Sequence, residues 1–264
     1  MAYSLASYFN NAIVGQTQVG AGVNLYDSST NAKFAVGTKF ERSDGNIYRY
    51  AQFGLTTAAG QMTSQDISES TILDTDNSVI APASAVAVPG ETPLPGAIDS
   101  HYIQFTVAAI AADQLAGGNV HITDDTGEGH IYRVKGNTAT DNPATGDIRV
   151  ELYDKIVIAL DATSDVIITG NLYANLEPST TTDTFAAGVA MVAQATNDYG
   201  WVQTAGVATC QTEGTVVLGS GVILAPTDAG AVAPAVETDI LERVGVCLVV
   251  GDDTGFSAIK LTLK

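Results

Sequence analysis

Short runs rich in Val, Ile, Thr, Tyr and Phe, bounded by clusters of Gly, Asp, Asn and Ser, recur along most of the chain. That punctuation marks β-strands joined by tight turns. Lys39-Phe40-Glu41-Arg42, Ser43-Asp44-Gly45-Asn46 and Ile47-Tyr48-Arg49-Tyr50 read as strand, turn and strand, which predicts a hairpin. Asn119 to Thr123, the turn Asp124 to Gly129 and His130 to Val134 predict a second hairpin of the same design. Val244 to Val250, Gly251 to Gly255 and Phe256 to Leu261 predict a third. Asp147-Ile148-Arg149-Val150-Glu151-Leu152 alternates with period two, as a half-buried strand does. Ile156 to Leu160 and Val166 to Thr169 are predicted as strands on either side of Asp161 to Asp165. Helical signals are weak: Ala59 to Ser68 and Ala108 to Leu115 could each hold a short helix, but neither carries a long amphipathic stripe.

The predicted fold class is all-β: β-sandwich or barrel-like subdomains built of hairpins, with an extended N-terminal arm. Two segments read as connectors. Residues 81–96 are rich in Pro and small residues, a composition that rules out a helix or a central strand. Residues 177–184 form a Thr-rich link. The predicted organisation is therefore an arm at 1–30, a first β subdomain at 31–80, the connector at 81–96, a second β subdomain at 97–176, the link at 177–184 and a C-terminal β domain at 185–264. Gly129 to Val134 echoes Gly45 to Tyr50, and Asp252-Asp253-Thr254-Gly255 repeats Asp124-Asp125-Thr126-Gly127. The spacings differ, so reused hairpin chemistry accounts for both better than a fixed repeat.

Charge changes the picture of partners. Only 15% of residues are charged, and 29 acidic residues stand against 11 basic ones for a net charge of −18. Such a field repels nucleic acid and anionic lipid. The N-terminus lacks a basic segment followed by a long apolar core, and stretches such as Val107 to Ala112 are far short of a membrane span. A protein made in a cytoplasm and needing no membrane is expected.

Candidate chemistry is sparse. His121 and His130 flank one predicted turn and could meet across the hairpin, and His101 is the remaining histidine. With no evident third ligand, exposed strand residues are the preferred reading over a metal pair. Thr123 to Glu128 and Gly251 to Gly255 offer hard oxygen ligands for calcium, but they lack the ligand spacing of an EF-hand, and tight turns select the same residues. Cys210 and Cys247 lack metal or redox spacing; two small buried apolar residues is the favoured reading, with their pairing left open. No nucleophile motif and no phosphate-binding loop stands out, so the expectation is no catalytic residue, no cofactor and no metal.

The most distinctive stretch runs from Asn197 through Tyr199-Gly200-Trp201-Val202-Gln203 to Cys210, followed by Gly214 to Leu224. It resembles the YGWVQ-x-x-G-x-A segment of virion structural proteins of tailed bacteriophages. Ala35 to Lys39 with Gly45 to Ala51 also looks like the opening hairpin of such proteins. The resemblance implies a capsid decoration, or cement, protein. Such a protein sits on the outer capsid surface, binds the major capsid protein and staples subunits together, as a homo-oligomer (trimer or dimer). Another virion part, such as a tail or fibre component, and a carbohydrate-binding or glycan-cleaving virion protein are the alternatives. On period-two geometry Tyr199, Trp201 and Gln203 share one face of a strand, with Val202 on the other. They are the candidate interface residues, while core anchoring is the structural alternative for Trp201, the chain's one Trp.

Overall fold

The computed structural model describes residues 23–65, 72–82, 84–87, 89–90, 92–108, 110–141, 145–179, 185–236, 243–251 and 255–263. Its strands are β1 (Lys39–Glu41), β2 (Ile47–Gln52), β3 (Met62–Gln65), β4 (Ile72–Ser78), β5 (Tyr102–Ala108), β6 (Asn119–Asp124), β7 (Ile131–Asn137) and β8 (Thr145–Leu152). They continue with β9 (Asp165–Thr169), β10 (Leu176–Pro178), β11 (Ala186–Ala190), β12 (Tyr199–Gln211), β13 (Gly221–Leu224), β14 (Val232–Pro234), β15 (Gly245–Val249) and β16 (Phe256–Thr262). The fold is all-β, and no helix occurs among the described residues. Hence none of them forms a helix long and apolar enough to cross a membrane.

The three predicted hairpins form, as their strand pairings show. β1 and β2 pair antiparallel, with Lys39 opposite Arg49. Gly45 closes their turn at φ 84°, where a side chain would be strained. β6 pairs with β7, and β15 with β16. The Asp-rich turn after β6 uses Asp125 at φ 58° and Gly127 at φ 90°. Asp124 caps it by accepting a 2.8 Å hydrogen bond from the Asp125 amide.

The chain divides into two compact units: residues 1–65 with 175–264, and residues 66–174. The first carries a ten-stranded antiparallel sheet with the path β10-β3-β11-β12-β16-β15-β13-β14, to which β2 and β1 attach through β12. Its main core gathers Met62, Val189, Cys210, Val222, Leu224, Cys247, Ile259 and Leu261. The second is a six-stranded sheet in the order β4-β9-β6-β7-β8-β5. It curls until its ends meet: Val79, just past β4, bridges Phe105 of β5, and the Ile80 amide donates to the Gln104 carbonyl at 2.8 Å. Alternate residues fill the interior, among them Ile103, Phe105, Val120, Val134, Ile148, Val150, Leu152, Val166 and Ile168.

Several boundaries differ from the sequence reading. The hairpin at 39–52 does not stand apart from the C-terminal domain, because β2 pairs with β12, Arg49 lying opposite Val202. Residues 31–80 therefore contribute to both units, β1 to β3 to the first and β4 to the second. The Pro-rich stretch 81–96 falls inside the second unit and is fastened to it. The Val86 amide donates to Gln104 Oε1 at 2.9 Å, and the Gly96 amide to the Tyr102 carbonyl at 2.8 Å. Part of the link at 177–184 is strand β10, paired with β3. Ile156 to Leu160 is not a strand. It is a loop pinned at both ends by buried Ile156 and Leu160, whose amides donate to the Ser100 and Gly96 carbonyls. In place of a short helix over Ala108 to Leu115, Ala108 ends β5 and residues 112–115 form turns. Of the expected arm, residues 1–22 lie outside the described residues, while Val23 and Leu25 pack against the aromatic cluster of the first unit.

Candidate functional site

Tyr199, Trp201 and Gln203 open β12, and the structure does bring them together. Trp201 lies opposite Tyr50 in register, and Gln203 opposite Tyr48. The indole is 1% exposed and packs against Tyr50 at 5.2 Å, Phe34 at 5.5 Å and Phe40 at 6.0 Å between ring centroids. Tyr199 stacks on Tyr50 at 6.3 Å. Desolvation in this cluster raises the Tyr50 phenol pKa, although its oxygen accepts a 3.0 Å hydrogen bond from the Lys33 amide. Gln203 is 3% exposed and donates through Nε2 to the carbonyls of Ala205 and Val207, both at 3.0 Å. Trp201 and Gln203 are thus interior residues that shape β12, and Val202 on the opposite face is buried as well.

The polar candidates are occupied locally. His121 lies across from Ile131, not from His130, and its Nε2 is 3.0 Å from Thr169 Oγ1. His130 Nδ1 is 2.7 Å from the Gly127 carbonyl. Among the described residues no three His, Cys, Asp or Glu side chains converge as a metal site. In the loop after residue 156, Asp161 accepts from the Thr163 hydroxyl at 2.6 Å, the Thr163 amide at 2.9 Å and the Thr126 hydroxyl at 2.9 Å. These bonds hold its carboxyl below the usual carboxylate range, the Thr163 hydroxyl contributing most. The second Asp-rich turn, at 252–254, lies outside the described residues. Cys210 and Cys247 are both free and buried. Cys247 is opposite Ile259 on β16, which is opposite Ala208 on β12. Two strand spacings of about 4.8 Å separate the strands bearing the two thiols, beyond disulfide reach.

What sequence reasoning missed is an apolar outer face on the first unit. Ser257, Ile259 and Leu261 of β16 point inward, which turns Phe256, Ala258 and Lys260 outward. Their partners in register are Gln211, Thr209 and Val207 on β12, with Val249 and Val246 of β15 opposite Ala258 and Lys260. Phe256 is 51% exposed, Val249 61% and Val207 49%. Leu248 sits in the register shift between Cys247 and Val249 and is also exposed. Lys260 is the one charge in this row of described residues. The signal was present in Val246-Cys247-Leu248-Val249-Val250, which is apolar at every position where a half-solvated strand alternates. Compared with known protein families, curated proteins and solved structures, the chain matches none.

Proposed function

We propose that this is a non-enzymatic virion structural protein that decorates the outer capsid surface and stabilises the shell by binding the major capsid protein. The observation that supports this reading is the apolar face of Val207, Val246, Val249 and Phe256 on β12, β15 and β16. Exposed apolar side chains gathered on one sheet face, among Lys260, Thr209 and Gln211, leave on so acidic a chain a surface that a partner can cover. Aromatic and aliphatic side chains on a rigid sheet lose little entropy on docking. The resemblance of the Tyr199 to Cys210 stretch to phage virion proteins supplies the kind of partner. Decoration then works by mass action, since a ligand of the assembled shell shifts the equilibrium away from disassembly. Many copies, each a dimer or trimer, make modest contacts effective.

The test adds purified protein to shells that lack it. Occupancy and the temperature of genome release are then measured for wild type and for Phe256→Asp. Wild type raises the release temperature. The exposed substitution lowers occupancy about tenfold or more, the scale of one lost interface anchor, with the protein's own melting temperature unchanged. Decorated shells no more heat-resistant than bare ones, or full occupancy by the variant, would refute the proposal. Immunogold label confined to tails would move the protein to that part of the virion.

A further inference from the structure

The second unit carries a feature that the decoration reading does not use. Its basic residues, in residues 66–174, are Arg133, Lys135, Arg149 and Lys155. The first three lie on the outward positions of β7 and β8, a cationic island on a strongly acidic chain. Beside them is a cleft of about 230 Å³ lined by His101, Tyr102, Lys135, Glu151, Leu152 and Tyr153.

The cleft is built by specific backbone choices. Tyr102 of β5 stands opposite Glu151 of β8. The Leu152 amide donates to the His101 carbonyl at 2.7 Å, and the Tyr153 amide to the Arg133 carbonyl at 3.0 Å, which fixes the backbone that carries the lining tyrosines Tyr102 and Tyr153. A register shift between Val134 and Gly136 frees Lys135 from the ladder, and such bulges re-aim a side chain. Here the bulge brings the Lys135 ammonium to Glu151 at 2.5 Å. The Arg133 guanidinium lies 5.0 Å from the centre of the Tyr153 ring, and Arg149 lies 6.0 Å from that of Tyr102. Tyr153 is 53% exposed.

The geometry points to this cleft as a binding site for an acidic sugar residue, a pyranose bearing a carboxylate. A sugar ring presents an apolar C–H face that an aromatic ring covers. Its hydroxyls need both donors and acceptors within one short span, which the Lys135–Glu151 pair supplies together with the Tyr102 and Tyr153 phenols. The cleft is smaller than the ~300–1,000 Å³ of sites for drug-sized ligands and suits a single ring. The preference for an acid follows from the three cations set against Glu151 on this face, since charge-assisted bonds to a carboxylate are the strong ones. The field of the whole chain repels polyanions, so any affinity for one must come from a local site. The inference is independent of the capsid reading, which rests on the first unit.

The test titrates the full-length protein with an oligouronate and with the same oligosaccharide after reduction of its carboxyl groups, by calorimetry. Saturable binding of the oligouronate is expected, with the reduced form weaker by about tenfold, the worth of one charge-assisted contact. Tyr153→Ala and Lys135→Ala should each weaken oligouronate binding by a similar factor at an unchanged melting temperature, whereas Tyr26→Ala, a control in the first unit, leaves it intact. Absence of saturable binding overturns the site. Equal affinity for the reduced form overturns the acid preference. Full affinity in both cleft variants shows that the sugar binds elsewhere and overturns the assignment.

Discussion

At the scale of single residues, burial decides what the notable side chains do. Trp201 was legible as the most distinctive residue of its strand, and its face was predicted with Tyr199 and Gln203. What the sequence did not carry was the layer above it. Phe34, Phe40 and Tyr50 come from a segment distant in the chain, and only strand pairing delivers them to the indole. Cys210 shows burial acting on chemistry. Desolvation pushes its thiol from an ordinary 9.0 up to about 12. The sign of the consequence follows by linkage. Below about pH 9 both folded and unfolded chains keep the proton, so this group adds no pH dependence. Above it the unfolded chain ionises and the folded one does not, so stability falls as pH climbs toward the folded value. Melting temperatures between pH 8 and 11 should therefore drop more steeply for wild type than for Cys210→Ala. Parallel curves would show that the thiol ionises without unfolding.

At the scale of elements, turns were legible and partners were not. The hairpins β1–β2 and β6–β7 appear where Asp, Asn and Gly sit between alternating runs, because turn chemistry is local. Ile156 to Leu160 misled for the same local reason: apolar residues suggested a strand. In the structure Ile156 and Leu160 plug the core from a loop, while Val157 and Ile158 stay exposed. The apolar outer face escaped notice because it takes three strands to assemble it. β12 is the central case. Its first half pairs with β2 and its second with β16, and the register against β2 shifts between Gln203 and Ala205. At that break Gly206 adopts φ 91°, and a Cβ there would run into the side chain of Asn46. Asn46 Oδ1 in turn accepts the Val207 amide at 3.2 Å. Gly206→Ala should therefore destabilise the first unit by about 1–3 kcal/mol or more, the usual cost of a side chain held at positive φ. Urea unfolding followed by the fluorescence of Trp201 measures it. Gly45→Ala is the comparison: φ is similar at 84°, but nothing lies within 4 Å of its Cβ, so it should cost less.

At the scale of the whole molecule, the two units differ in kind. The second is one continuous segment with its own buried cluster and with strand ends that meet. The first is assembled from two pieces of chain, with β2 and β3 from one and β10 to β16 from the other. Composition located connectors at 81–96 and 177–184, yet neither is where the units part. The crossing points are near Gln65 and Asn175, within or beside strands, and no run of Pro or Gly marks them. A crossing at the end of a paired strand has no local signature, which is why only long-range pairing reveals it. Residues 66–174 expressed alone should fold, giving a strand-type circular dichroism spectrum and a cooperative thermal transition. An unfolded fragment would show that its core depends on the rest of the chain.

Gln65 and Leu176 face each other across the β10–β3 ladder, so the two chain crossings sit about 5 Å apart. In genetic terms the coding region between them behaves as a cassette. In-frame replacement by any stretch whose ends lie equally close, even a few glycines, leaves the flanking ladder closed. A foreign domain grafted at this junction inherits a ready-made anchorage in the β10–β3 ladder.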